Sequence, residues 1–146
     1  MAEARRAVFV IAHQGYREEE LDLPRRALTR AGVEVEVVSS DLGPARGMGD
    51  GMCFPDRLFS AVKVGEFDAL VFVGGDGAAE YFADRTAHRL AQEALRAGKL
   101  VAAICVATSI LANAGLLEGR SVTGYPTREA HLVERGARYT LSLIHI

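Results

Sequence analysis

Three short, uninterrupted apolar runs constrain this chain more than any other feature: residues 7–12 (Ala-Val-Phe-Val-Ile-Ala), 69–73 (Ala-Leu-Val-Phe-Val) and 100–104 (Leu-Val-Ala-Ala-Ile). A strand wetted on one face alternates apolar and polar residues. A strand apolar at every position must be covered on both faces, as in a parallel sheet clad by helices. Helical patterns sit between these runs. In residues 18–31, Leu21, Leu28 and Ala31 recur at helical spacing, with acidic residues early, basic residues late and Gly32 placed to terminate the helix. Residues 78–97 read as one helix, and a shorter helix follows residue 105 and ends near Gly115. Residues 33–38 alternate like a strand with one partly wet face, and the turn-rich stretch 43–51 predicts a hairpin or excursion. The alternation predicts an α/β, flavodoxin-like three-layer sandwich with a mostly parallel sheet.

At 146 residues the chain is the size of one domain, at roughly 150 residues per domain. Hydrophobic residues make up 49% and charged residues 25%, which excludes a disordered, collagenous or coiled-coil chain. Lys and Arg number 17 against 19 Asp and Glu, with no basic run to neutralise phosphates, so nucleic acid is not an expected partner. Two cysteines, Cys53 and Cys105, are too few for a disulfide framework and fit a reducing compartment. The first apolar run is too short for a signal-peptide core and no run is long enough to cross a bilayer, so the expected location is cytoplasmic, away from membranes. The single domain is expected over residues 1–140. The last six residues, Leu-Ser-Leu-Ile-His-Ile, match one reading frame of a transposase adapter used in sequencing-library preparation, and 141–146 therefore read as a non-native tail; an ordinary apolar final strand fits the same residues.

Cys105 follows an apolar strand and precedes a helical segment. Small residues two before and two after a nucleophile allow the sharp turn of a nucleophile elbow, and Ala103 and Ala107 stand at those positions. A thiol at such a corner meets a helix N-terminus, which favours thiolate; a buried structural cysteine is the alternative. Val73-Gly74-Gly75-Asp76-Gly77 joins a strand to a helix, and its free amides suit a phosphate or an oxyanion, although a plain tight turn uses the same glycines. Glu80 stands where a dinucleotide-binding turn needs its third glycine. Glu18, Glu19 and Glu20 open a helix; Glu18 and Glu19 read as solvent-facing partners of the helix dipole, while Glu20 is placed to point into the crevice at the carboxyl ends of the strands. His13 lies near the same edge as a further candidate. No His, Cys, Asp or Glu spacing suggests a metal site, and no cofactor is implied.

Taken together, Arg17-Glu18-Glu19-Glu20-Leu21 with Pro24, the Val73-Gly74-Gly75 turn, Ala102-Ala103-Ile104-Cys105, residues 110–117 and Gly124-Tyr125-Pro126 resemble the PfpI-type superfamily of class I glutamine amidotransferase-like fold. That superfamily includes intracellular cysteine peptidases and the parkinsonism-associated protein deglycase. The resemblance runs from residue 7 to about residue 140. It implies Cys105 as nucleophile, Glu20 as the carboxyl group touching its sulfur, the Gly75 and Val106 amides as oxyanion site with Gly74 supporting the turn, and Tyr125 where relatives keep Tyr or His. It further implies a small carbonyl substrate, glyoxalase- or deglycase-like chemistry or else redox sensing or stress protection, a homodimer or larger homo-oligomer, and elements beyond residue 140. Peptidase-like members carry His directly after the cysteine. Here that residue is Val106, which cannot act as a base, and Ala107-Thr108 replaces a Gly-Pro or Ala-Pro pair. Proteolysis is accordingly the weaker expectation.

Overall fold

The computed structural model describes residues 3–141. Its elements are β1 (Arg6–Val10), β2 (Gln14–Tyr16), α1 (Glu18–Arg30), β3 (Glu34–Ser39), β4 (Ala45–Gly47), β5 (Met52–Cys53), β6 (Arg57–Leu58), β7 (Ala69–Phe72), α2 (Arg85–Arg96), β8 (Leu100–Ala103), α3 (Thr108–Asn113), β9 (Ser121–Val122), α4 (Glu129–Glu134) and β10 (Arg138–Tyr139). Five strands form one parallel sheet in the order β6-β3-β1-β7-β8, with Val8 level with Glu36 and Leu70. The chain leaves β1 to one side for β3 and returns to the other for β7 and β8, so the strand order switches direction between β1 and β7. Ligands of open α/β sheets bind outside the carboxyl ends of the strands at such a point.

The pleat of β1 sorts the core into two layers. Ala7, Phe9 and Ile11 face one side with Leu21, Val37 and Val73, while Val8 and Val10 face the other with Phe72, Leu90, Ala94 and Ile110. Burial on both faces is the physical reason the runs of β1 and β7 are apolar throughout; β8, at the sheet edge, is only partly buried and its Leu100 is exposed. The three-layer sandwich expected from the runs is the observed fold.

The expected single helix over 78–97 is two elements. Residues Asp76–Tyr81 form a 3-10 turn, and α2 starts only at Arg85. Two contacts impose the break. The Tyr81 hydroxyl donates to the Ile11 carbonyl at 2.8 Å while its buried ring packs edge-on against Phe59, and the Asp84 carboxylate accepts the Thr86 amide at 3.0 Å as N-cap. The excursion at 43–51 becomes a small sheet, β2-β4-β5, in which β4 and β5 run antiparallel. Glu18, expected to face solvent, instead ties that excursion down: its Oε2 accepts the amides of Gly49 at 2.9 Å and Gly51 at 3.0 Å. Of the expected tail at 141–146, only Leu141, which is exposed, lies within the described residues.

Candidate functional site

Cys105 is the only non-glycine residue of the described chain with positive φ, at 60°. That left-handed backbone is costly for a residue with a side chain, and it persists because neighbours fix both sides of the peptide. On one side β8 delivers the chain in extended form through Ile104. On the other, the Cys105 carbonyl accepts two hydrogen bonds, from the Thr108 hydroxyl at 3.0 Å and the Tyr125 amide at 3.2 Å. The sharp turn lifts the thiol off the sheet edge, as the elbow pattern in the sequence anticipates.

Glu20 reaches this sulfur from the first turn of α1. The start of α1 is fastened to the turn after β7, where the Arg17 amide donates to the Gly74 carbonyl at 3.0 Å. A β-carbon at Gly74 would lie 2.6 Å from Glu20 Oε2, 2.7 Å from Cys105 Cβ and 2.8 Å from the Ile104 carbonyl oxygen, so only glycine lets carboxyl, thiol and turn converge. Gly75 takes φ 103°, and a β-carbon there would run into the Gly15 carbonyl. Pro24, inside α1, has no amide to give to the Glu20 carbonyl one turn back.

Glu20 Oε2 is buried without a hydrogen-bond partner. Burial pushes its carboxyl above the usual range, against the pull of the Cys105 thiol and of Arg17. Burial also pushes the Cys105 thiol up, and the charge of Glu20 adds to it, while the Val106 and Gly75 amides beside the sulfur pull it down without reversing the direction. The expectation that a helix N-terminus favours thiolate is therefore corrected: Cys105–Ala107 is a 3-10 turn, α3 starts at Thr108 and is only 6 residues long, and desolvation with a like charge outweighs the amides. Two acids in contact do not both ionise readily, so carboxyl and thiol hold one proton between them.

These groups open onto a pocket of about 580 Å³ lined by Arg17, Glu20, Cys105, Thr108, Thr123 and Tyr125 among others. Tyr125, 48% exposed, forms its outer wall. The structure thus brings Cys105, Glu20, Gly74, Gly75, Val106 and Tyr125 to one place. It does not bring His13, which is outside the lining: its amide donates to Glu80 Oε2 at 2.9 Å and its buried Nδ1 has no partner. Sequence reasoning assigned nothing to Thr108 and Thr123. A threonine three residues after an elbow cysteine is the available signal for the first, since its hydroxyl can reach back to the nucleophile's own carbonyl. Cys53 sits half-buried in β5, its thiol raised by burial. No group of His, Cys, Asp and Glu able to hold a metal occurs among the described residues, and no described helix is long and apolar enough to cross a membrane.

Comparison with known proteins bears on the family and the fold. The profile of the DJ-1/PfpI family matches residues 5–142. An uncharacterized protein of Methanocaldococcus jannaschii is 35% identical over 137 residues, covering 92% of this chain and 67% of that one. A protein named as a deglycase from Pyrococcus horikoshii is 31% identical over 134 residues, covering 92% of this chain and 80% of its own length. Among solved structures, the ThiJ/PfpI domain protein of Brachyspira murdochii superposes with a TM-score of 0.92 at 33% identity, covering 97% of this chain and 82% of its own.

Proposed function

The chain belongs to the DJ-1/PfpI family, and from that premise we propose that it acts on small reactive aldehydes or their adducts through Cys105, as a glyoxalase- or deglycase-like enzyme. The observation that carries this reading is the strained Cys105 held against the half-buried Glu20 carboxyl, whose Oε2 is buried and whose proton affinity burial raises. A cysteine kept only for packing needs neither the left-handed turn nor a desolvated acid beside it.

With methylglyoxal as the simplest substrate, the thiol gives its proton to Glu20 and the sulfur bonds to the aldehyde carbon. The carbonyl electron pair moves to oxygen, where the Gly75 and Val106 amides meet it, and a hemithioacetal forms on protonation. Glu20 as carboxylate then takes the proton on the sulfur-bearing carbon and returns it to the neighbouring carbon through an enediol, leaving a thioester of lactate on Cys105. Water hydrolyses the thioester and restores the thiol. The sequence is redox-neutral and consumes one water. A carboxyl group raised by burial suits both directions of this proton traffic. None of the lining residues is a histidine, and Val106 follows the cysteine, so the pocket lacks the base that a peptidase would need.

Cys105→Ala is expected to abolish dicarbonyl turnover, and Glu20→Gln to lower kcat by about 100-fold or more with the fold retained, since general acid–base catalysis contributes about that much. Undiminished turnover in Cys105→Ala would overturn the covalent route. A second reading draws on the unpartnered Glu20 Oε2: a protonated carboxyl there can donate to the oxygens of a sulfinate. It predicts negligible turnover and, instead, addition of oxygen from hydrogen peroxide to Cys105, with the extent altered in Glu20→Ala.

A further inference from the structure

Behind the Tyr125 wall, α3 and α4 meet over a part-buried polar chain that the reaction does not use. Ser109 is fully buried in α3. Its Oγ lies 2.7 Å from Arg128 Nε and 3.0 Å from His131 Nδ1, and His131 Nε2 lies 2.9 Å from Asn113 Oδ1. Asn113 Nδ2 in turn donates to the Phe82 carbonyl at 2.8 Å, and the Arg128 guanidinium lies 4.8 Å from the centre of the Phe82 ring. The donors and acceptors fit together in one way with a neutral ring. Arg128 donates to Ser109, Ser109 donates its hydroxyl hydrogen to Nδ1, and Nε2–H donates to Asn113. A second proton on His131 would sit on Nδ1, remove the acceptor of a fully buried hydroxyl and put a cation beside Arg128.

We propose that Arg128, Ser109, His131 and Asn113 act as a positioning latch that fixes the Tyr125–Pro126 wall of the Cys105 pocket while His131 is neutral and releases it in mild acid. The mechanical link is short. Arg128 ends the 3-10 turn Pro126–Arg128, and its amide donates to the Tyr125 carbonyl at 2.8 Å, while the Tyr125 amide is bound to the Cys105 carbonyl. Holding the Arg128 side chain therefore holds the turn that carries the wall.

The charged groups around His131 agree with the direction of the switch. Burial lowers the basicity of the ring, Arg128 and Arg135 lower it further, and Glu134 opposes them. The groups of α3 in contact with it, Ser109 and Asn113, are neutral. A ring whose folded pKa is depressed stays neutral above its ordinary value near 6.5, and the latch is lost as pH falls through the lower folded value.

The inference takes the Cys105 pocket as the reacting site, as proposed above, but its test reads only the thiol and stands apart from any turnover assay. Cys105 is alkylated with a small reagent, iodoacetamide, and a bulky one, N-(1-pyrenyl)maleimide, from about pH 7.5 to about pH 5.5. Both react with the same thiolate, so the bulky-to-small rate ratio cancels the thiolate fraction and reports access past Tyr125. In wild type the ratio should rise at least about threefold on acidification. In His131→Gln, which does not titrate, it should be independent of pH. Ser109→Ala, which removes the central hydroxyl at small cost in volume, should show the high ratio at every pH and serves as the test should His131→Gln not fold. A flat ratio in wild type, or the wild-type rise persisting in either variant, overturns the latch.

Discussion

A methyl group at position 74 would press on the Ile104 carbonyl and Cys105 Cβ at under 3 Å as well as on the Glu20 carboxyl, and the first two belong to the sheet edge and cannot turn aside. Gly74→Ala should therefore destabilise the fold by about 1–3 kcal/mol, as overpacking does, and displace Glu20 from the thiol. Urea denaturation checks the first effect; an unchanged midpoint would contradict the convergence described at the site. Glu18 offers a second test. Its carboxyl is held below the usual range by backbone amides, its own first and then those of Gly51, Gly49 and Met48. A depressed carboxylate contributes stability above its ordinary pKa and loses it as pH falls through the lower folded value. Protection of the Gly49 and Gly51 amides, relative to their intrinsic exchange rates, is thus expected to fall in Glu18→Gln at neutral pH, and in wild type only on acidification below the ordinary carboxylate range.

Among the elements, those readable from the sequence are the longer ones, whether deeply buried as β1 and β7 are or only partly so, as β8 and α1 are. The runs at 7–12, 69–73 and 100–104 became β1, β7 and β8, and the period and end signals of residues 18–31 became α1 (Glu18–Arg30). What periodicity could not show is a break set by tertiary contact. Residues 78–97 carry helical spacing through Phe82, yet the Tyr81 hydroxyl and the Asp84 cap divide them. Short strands were hidden for a related reason. β2, β6, β9 and β10 are two or three residues each, too few to display alternation, and their pairing partners lie far along the chain. The N-cap gives a test at this scale. Asp84→Ala leaves the Thr86 amide without its acceptor and should cost about 0.5–2 kcal/mol of stability by thermal or chemical denaturation, with exchange accelerating first at the start of α2.

For the molecule as a whole, the sheet order brings three joints, after β1, β7 and β8, to one end, and each contributes a part: Glu20, Gly74 with Gly75, and Cys105 with Val106. Local patterns, a first helical turn, a glycine joint and an elbow, marked Glu20, the glycine turn and Cys105 as candidates, and the family resemblance supplied their joint arrangement and Val106. The Arg128–Ser109–His131–Asn113 chain has no such signature, since its members come from separate helices and each reads alone as an ordinary polar residue. His13, the further candidate, lies outside the pocket lining, because nearness in sequence to a strand end does not fix where a side chain sits. The central claim is that Cys105 bonds to the substrate carbonyl and Glu20 moves the protons that follow. It is tested most directly by acid-quenching the protein during turnover of methylglyoxal and mapping adducts by peptide mass spectrometry. The account predicts a single dicarbonyl increment on the Cys105 peptide and none on Cys53, absent in Cys105→Ala and strongly reduced in Glu20→Gln, where the thiol has lost the group that takes its proton. Turnover with no adduct on Cys105 in any of the three proteins, or with adducts confined to arginine and lysine, would contradict it.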